Sequence, residues 1–456
     1  MKRLLALLGL TAAFALPVRA EIVEQTLPNG MRVIVKTDRR APVVVSQVWY
    51  RAGSMDESYG STGVAHVLEH MMFKGTKEVP AGEFSKRIAA AGGRENAFTS
   101  RDHTAYFQTL RKDRLELALK LEADRMANLV LAPEEFAKEI NVVMEERRMR
   151  TEDSAQAKLY EALMATVFQT HPYRHPVIGW MDDLKSMTVD DARHWYERWY
   201  TPNNATLVVA GDVDPAQVMA WAKQYFGPIP ARPVAERKPQ REPEQIGMKQ
   251  VTVKAPAKQP VVALAWQAPR LADPQADWEP YALEILAGVL DGHASARLNQ
   301  SLVREKRLAT DAGAGYDGIS RGPAMFVADA TPAEGQSVAT VEAALKAEIA
   351  RLVKDGVSET ELNRVKAQVL AGQVFQQDSL FYQAMQIGEW TTAGLDYKAR
   401  DTRYAKLKAV TADQVKAVAA KYLVDDRLTL AVLDPQPMPE GKPEMARNPM
   451  GAGHVR

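Results

Sequence analysis

Two segments far apart in this 456-residue chain repeat one another. Leu184-Lys185-Ser186-Met187-Thr188-Val189-Asp190, a helix, and then Ala205-Thr206-Leu207-Val208-Val209-Ala210 resemble Leu407-Lys408-Ala409-Val410-Thr411-Ala412-Asp413, a helix, and then Arg427-Leu428-Thr429-Leu430-Ala431-Val432. The offset between Thr188 and Thr411 is about half the chain, so the repeat marks a duplicated domain rather than the short unit of a solenoid. Each copy must bury a core of its own, and 46% hydrophobic residues over this length suffice for two. The stretch 231–250 is rich in Pro, Glu, Arg and Lys and reads as an extended linker. The expected domains are therefore 21–230 and 251–435.

Within the first copy, His66-Val67-Leu68-Glu69-His70 is where metal-ligand residue types recur at a spacing that a helix converts into one face. Side chains four apart lie on the same side, so His66 and His70 can offer imidazole nitrogens to a single cation, with Glu69 beside them. Two neutral histidines and a carboxylate that need not be a ligand suit a zinc hydrolase, in which the ion acidifies water and a nearby base takes the proton. The order H-x-x-E-H is the inverse of the commoner H-E-x-x-H. Such a site needs a third protein ligand from a neighbouring element. Pro133, followed by Glu134-Glu135, opens a helix predicted to run to about Arg150. On it Glu139 and Glu146 are two turns apart and share a face, with Val142 and Val143 expected between them on the buried side. Glu146 is the candidate ligand and Glu139 a helper. A solvated charge run over Glu145-Glu146-Arg147-Arg148 would leave unexplained why acids recur at helical period beside valines.

His66 to His70, the following Met71-Met72-Phe73-Lys74-Gly75-Thr76, and Glu139-Ile140-Asn141-Val142-Val143-Met144-Glu145-Glu146 together resemble the pitrilysin family of zinc peptidases. The likeness is to its bacterial branch similar to the mitochondrial processing peptidase, and it covers nearly the whole chain after residue 20. It implies one zinc ion per chain on His66, His70 and Glu146, Glu69 as general base, and Glu139 assisting. It also implies that Asn96 and Ala97 lie on an edge strand beside the zinc, where a peptide substrate adds as another strand through main-chain hydrogen bonds. Family members carry an Arg and a Tyr seven residues apart in the C-terminal half. Arg304 matches the arginine, a substrate contact by resemblance, but Asp311, or Thr310 with one residue fewer, stands where the tyrosine belongs. The resemblance thus implies the catalytic subunit of a heterodimer, the second homologous subunit supplying the Arg/Tyr pair, or otherwise a homodimer. The implied fold is α+β, two homologous domains, each a largely antiparallel sheet covered by helices, forming a hinged half-shell or clam. The implied activity is endopeptidase cleavage of peptides or unfolded segments; the alternative is a non-catalytic peptide-binding shell.

Met1-Lys2-Arg3, the apolar run Leu4 to Leu16 and Val18-Arg19-Ala20 read as a secretory signal peptide cleaved after Ala20, too short to span a bilayer. No other stretch has the length of a membrane span, and there is no cysteine to be lipidated or paired. The expectation is a periplasmic protein whose cores do without disulfides. A formal charge of +1 argues against nucleic acid as a partner. His103, His171 and His175 lack ligand spacing; His103 is expected on the surface or near the metal. Trp195, Tyr196, Trp199 and Tyr200 recur at helical spacing and are expected to pack. The proline-rich end, 436–456, is expected to be disordered.

Overall fold

The computed structural model describes residues 22–234 and 236–438. The expected signal peptide and the tail beyond Met438 lie outside them. The first half runs β1 (Ile22–Thr26), β2 (Arg32–Thr37), β3 (Val43–Tyr50), α1 (Val64–Met71), α2 (Glu83–Ala90), β4 (Arg94–Thr99), β5 (Thr104–Arg111), α3 (Leu115–Asn128), α4 (Pro133–Arg147), α5 (Ala155–Val167), α6 (Met181–Ser186), α7 (Val189–Trp199), β6 (Ala205–Gly211) and α8 (Pro215–Tyr225). The second runs β7 (Lys249–Pro256), β8 (Val261–Ala268), α9 (Glu279–Asp291), β9 (Ala309–Tyr316), β10 (Ala324–Pro332), α10 (Val338–Asp355), α11 (Glu359–Gln376), α12 (Leu380–Ala393), α13 (Arg400–Ala409), α14 (Ala412–Tyr422) and β11 (Leu428–Gln436).

The strand orders are β1-β2-β6-β3-β5-β4 and β7-β11-β8-β10-β9. Without β1 they are the same order, and in each the last strand of the half joins its outer neighbour in parallel, β6 with β2 and β11 with β7. All other pairings are antiparallel. The sequence repeat falls on matching elements. Thr188 and Thr411 cap α7 and α14 with reciprocal side-chain bonds to Asp191 and Gln414, and those helices lead into β6 and β11. The α+β, two-domain expectation holds.

The halves exchange helices. α5, from the first half, packs through Leu159, Leu163 and Val167 on Ala263, Ala265 and Ala431 of the second sheet. In return α12 lies on β3 and β6, and Ile34, Val45, Trp49 and Val208 of the first sheet join the core of the second half. The opposite face of the first sheet, Val33, Val35, Val48 and Leu207, packs on α1 and α3. Both faces are therefore covered, which is why β3 and β6 read as near-continuous apolar runs. The extended segment between α8 and β7 is tied down as well: Glu242 accepts backbone N–H bonds from Thr170 and His171 at 2.9 and 2.7 Å.

Candidate metal centre and active site

α1 is buried along its whole length. It starts at Gly63, whose φ of 90° and contact with Ile178 O, 2.6 Å from where a Cβ would sit, exclude any side chain. Glu57 accepts from the N–H groups of Gly63 and Ala65 at 2.8 and 2.9 Å, bonds that partly offset the burial that pushes its carboxyl up to about 8. The helix so anchored carries His66, Glu69 and His70 in the interior, where their exposures are 4%, 1% and 0%.

α4 begins with Pro133 at a tolerated position and packs beside α1. It turns Glu139 and Glu146 inward, as the two-turn spacing predicts. Val143 is buried between them, but Val142 is 47% exposed, contrary to expectation. The buried arc of α4 is centred on Phe136, Val143 and Arg147, so Val142, displaced to the other side of Glu139, falls beyond its edge. α4 ends in a π-helical turn, Arg148–Glu152, shorter than the helix expected to reach Arg150.

His66, His70 and Glu146 each offer a ligand atom within 4.8 Å of the others, the one such group of three or more found among the described residues. His70 Nε2 is 3.3 Å from Glu146 Oε2, and His66 Nε2 is 3.9 Å from Glu146 Oε1. Two donors about 2.1 Å from a tetrahedral zinc stand roughly 3.4 Å apart, so this donor set fits a zinc-sized cation in both type and separation. His70 Nδ1 meets Glu139 Oε1 at 2.9 Å. Burial pushes the Glu139 carboxyl up, but the bonds to His70 and Lys74 outweigh it and bring it down to about 2. As a carboxylate it only accepts, so Nδ1 donates and Nε2 is turned to the metal position. Burial likewise works against Glu146, and His70, His66 and Arg150 bring it down to about 2. Arg150 Nη1 contacts Glu146 Oε1 at 2.8 Å.

Glu69 shares α1 with the two histidines, and its Oε2 accepts a 2.5 Å bond from Thr99 Oγ1. Thr99 ends β4, which among the described residues pairs with β5 alone and is an edge strand of its sheet. Asn96 and Ala97 lie on this strand, Ala97 buried and Asn96 half-buried with its Oδ1 on the Ala97 N–H. From Thr99 a cavity of about 1160 Å³ extends between the halves, lined on one side by Arg101 and Asp102 and on the other by Asp311 and Glu389.

Residues 32–179 match the family model described as "Insulinase (Peptidase family M16)", and residues 186–369 match "Peptidase M16 inactive domain". The chain is 33% identical over 349 residues to the zinc protease PqqE of Helicobacter pylori, covering 75% of this chain and 77% of that one. It is 31% identical over 435 residues to an uncharacterized zinc protease of Mycobacterium leprae, covering 94% and 95%. This chain belongs to peptidase family M16. Its fold is similar to the crystal structure of a protease from Helicobacter pylori, with a TM-score of 0.86 at 29% identity over 91% of this chain and 100% of that one. It is also similar to the periplasmic protease PqqL of Escherichia coli, with a TM-score of 0.79 at 21% identity over 92% of this chain but 48% of PqqL.

In this M16 chain the zinc-ligand candidates, Glu69 and Glu139 converge, whereas Arg304 does not join them. Arg304 is exposed in the π-helical turn Asn299–Glu305 and does not line the cavity, while Asp311 does. His103 is not a surface residue: it is buried against Trp49 and Phe98, because the turn that carries it lies beneath α12. Trp195, Tyr196, Trp199 and Tyr200 are packed as expected. Sequence reasoning put Thr99 on the strand of Asn96 and Ala97 but gave it no role, though strand alternation puts it on the same face as Ala97, toward α1. It also missed Arg321, a second-half residue whose guanidinium reaches Asp56 at 2.7 Å and the Asp102 carbonyl at 2.8 Å.

Proposed function

We propose that this M16 chain is an exported zinc endopeptidase that cleaves peptides or unfolded polypeptide segments, and that it works against a second M16 unit. The observation that carries the reading is the meeting of His66, His70 and Glu146 at one point, with Glu69 on the same helix and an edge strand alongside. Zinc bound by the three ligands supplies Lewis acidity toward water and the scissile carbonyl. Glu69 takes the proton from the attacking water and returns it to the departing amine. Glu139 holds His70 in the tautomer that binds metal. The outer edge of β4, with Asn96 and Ala97, receives substrate backbone by strand addition, which selects extended chains over folded ones.

PqqL, of which this chain covers 48%, has room for two such units, which supports a paired arrangement. The partner would contribute the Arg/Tyr pair that Arg304 and Asp311 do not complete. The description of PqqL as periplasmic and the apolar run Leu4 to Leu16 both support export. The test is metal content and peptide hydrolysis by the chain with and without Glu69→Gln, and by the complex it forms in its native host. Both proteins should bind one zinc, and the variant should lose at least about a hundredfold in rate. Chelation should abolish hydrolysis and added zinc restore it. Peptide binding without cleavage, equal with and without metal, would instead establish a non-catalytic shell.

A further inference from the structure

We infer that Thr99 orients Glu69, so that the strand proposed to receive substrate also sets the catalytic base. The inference rests on the reading of Glu69 as base. Thr99 Oγ1 donates to Glu69 Oε2 at 2.5 Å, and the two side chains are 2% and 1% exposed. The terminal torsion of a carboxylate is broad and weakly hindered, so orientation must come from what its oxygens meet. A donor on Oε2 restrains that torsion and so fixes the direction in which the carboxylate faces.

The hydroxyl can restrain the carboxylate only if Thr99 is itself held. It is held by four sets of contacts. Along the sheet, Thr99 pairs with Thr104 of β5, whose hydroxyl donates to the Ala52 carbonyl at 3.0 Å. Toward α1, the N–H groups of Ser54 and Met55 donate to the carbonyls of Ser100 and Arg101 at 3.1 and 3.0 Å. Gly53 makes this approach possible: a Cβ there would lie 2.5 Å from the Ser100 carbonyl oxygen. From the second half, Arg321 donates to the Asp102 carbonyl at 2.8 Å, and its own N–H donates to Asp102 Oδ2 at 2.9 Å. Inside the turn, Ser100 Oγ accepts from the N–H groups of Asp102 and His103, both at 3.1 Å.

Threonine suits this position because its β-branch makes χ1 stiff, carrying a fixed backbone through to a fixed hydroxyl. Valine would fill the same volume without a donor, and the neighbouring buried side chains of β4, Ala97 and Phe98, are apolar. The hydroxyl therefore answers to Glu69 rather than to packing. Thr99 is a positioning residue, and a peptide lying along β4 would share its strand with the group that aims the base.

The test compares Thr99→Val, Thr99→Ser and Thr99→Ala with the wild-type chain on a fluorogenic unstructured peptide, with zinc content and thermal midpoint measured on each. Thr99→Val should lower kcat by about tenfold to a hundredfold with KM within about twofold. Zinc content should not change. Thr99→Ser should recover kcat to within about fivefold, because it restores the donor on a looser rotor. If valine perturbs folding, alanine and serine differ chiefly by the hydroxyl, and the same kcat gap should separate them. Unchanged kcat in Thr99→Val and Thr99→Ala, or a serine variant no better than alanine, overturns the role of Thr99. Glu69→Gln run alongside separates the two claims. If it stays active, the assignment of the base has failed; if it is dead while the Thr99 variants are fully active, only the inference about Thr99 has.

Discussion

Replacing Gly388 by alanine sets two physical effects of opposite sign against each other. Gly388 lies inside α12, where alanine gains about 1 kcal/mol of helix propensity. Its Cβ, however, would lie 2.0 Å from Trp49 Cε2 and 2.4 Å from both Cδ2 and Nε1. The indole has nowhere to go. It is fully buried, edge-on to Phe98 at 5.4 Å and to His103 at 4.7 Å, and its Nε1 donates to Gln47 Oε1 at 2.9 Å. Restoring an ordinary carbon contact of about 3.5 Å requires α12 to lift from the first sheet by roughly 1.5 Å. Overpacking costs about 1–3 kcal/mol, and a rigid aromatic neighbour puts this case at the upper end, so the net loss is about 2 kcal/mol. With an unfolding entropy of about 2 cal/mol/K per residue over about 400 residues, a single cooperative transition would fall by roughly 2–3 °C. Scanning calorimetry of Gly388→Ala, Trp49→Phe and the double variant reads this directly. The smaller ring should relieve the clash and give a coupling of about 1–2 kcal/mol. A rise in Tm for Gly388→Ala, or additive single effects, would refute the claim that α12 docks tightly on the first sheet.

Arg321→Met should destabilise by about 3 kcal/mol in denaturant unfolding, because it leaves Asp56, a buried carboxylate, with Arg237 as its remaining charge partner. Added salt should change that figure little, since the pair is screened from solvent. Burial, with Arg321 nearby, brings the His103 imidazole down to about 3. The folded state thus keeps it neutral while the unfolded chain takes up a proton below about 6.5, so this contribution to stability is complete above that pH and is lost as pH falls toward 3. At pH 5 the loss is about 2 kcal/mol, and His103→Gln should shrink the fall in Tm between pH 7 and pH 5. An unchanged fall would show that His103 does not titrate with unfolding.

Much of the candidate metal centre was legible because it depends on local geometry. Helical periodicity brings His66 and His70 to one face, and Glu139 and Glu146 to another, whatever surrounds them. The duplicated Leu-Lys-x-x-Thr segments around Thr188 and Thr411 likewise announced two domains, since capping and strand alternation are read within a few residues. Tertiary packing decided the rest. That α5 covers the second sheet and α12 the first could not be read from either helix, because an apolar stripe says that a helix is covered and not by what. The same ambiguity misassigned Val142 and His103, whose burial depends on partners from other elements. Thr99 meets Glu69 from thirty residues away, and Arg321 meets Asp56 from 265. Sequence alone determined which side chains could act together on one helix; only the folded chain determined which of them touch across elements, since those contacts follow from packing and leave no local pattern.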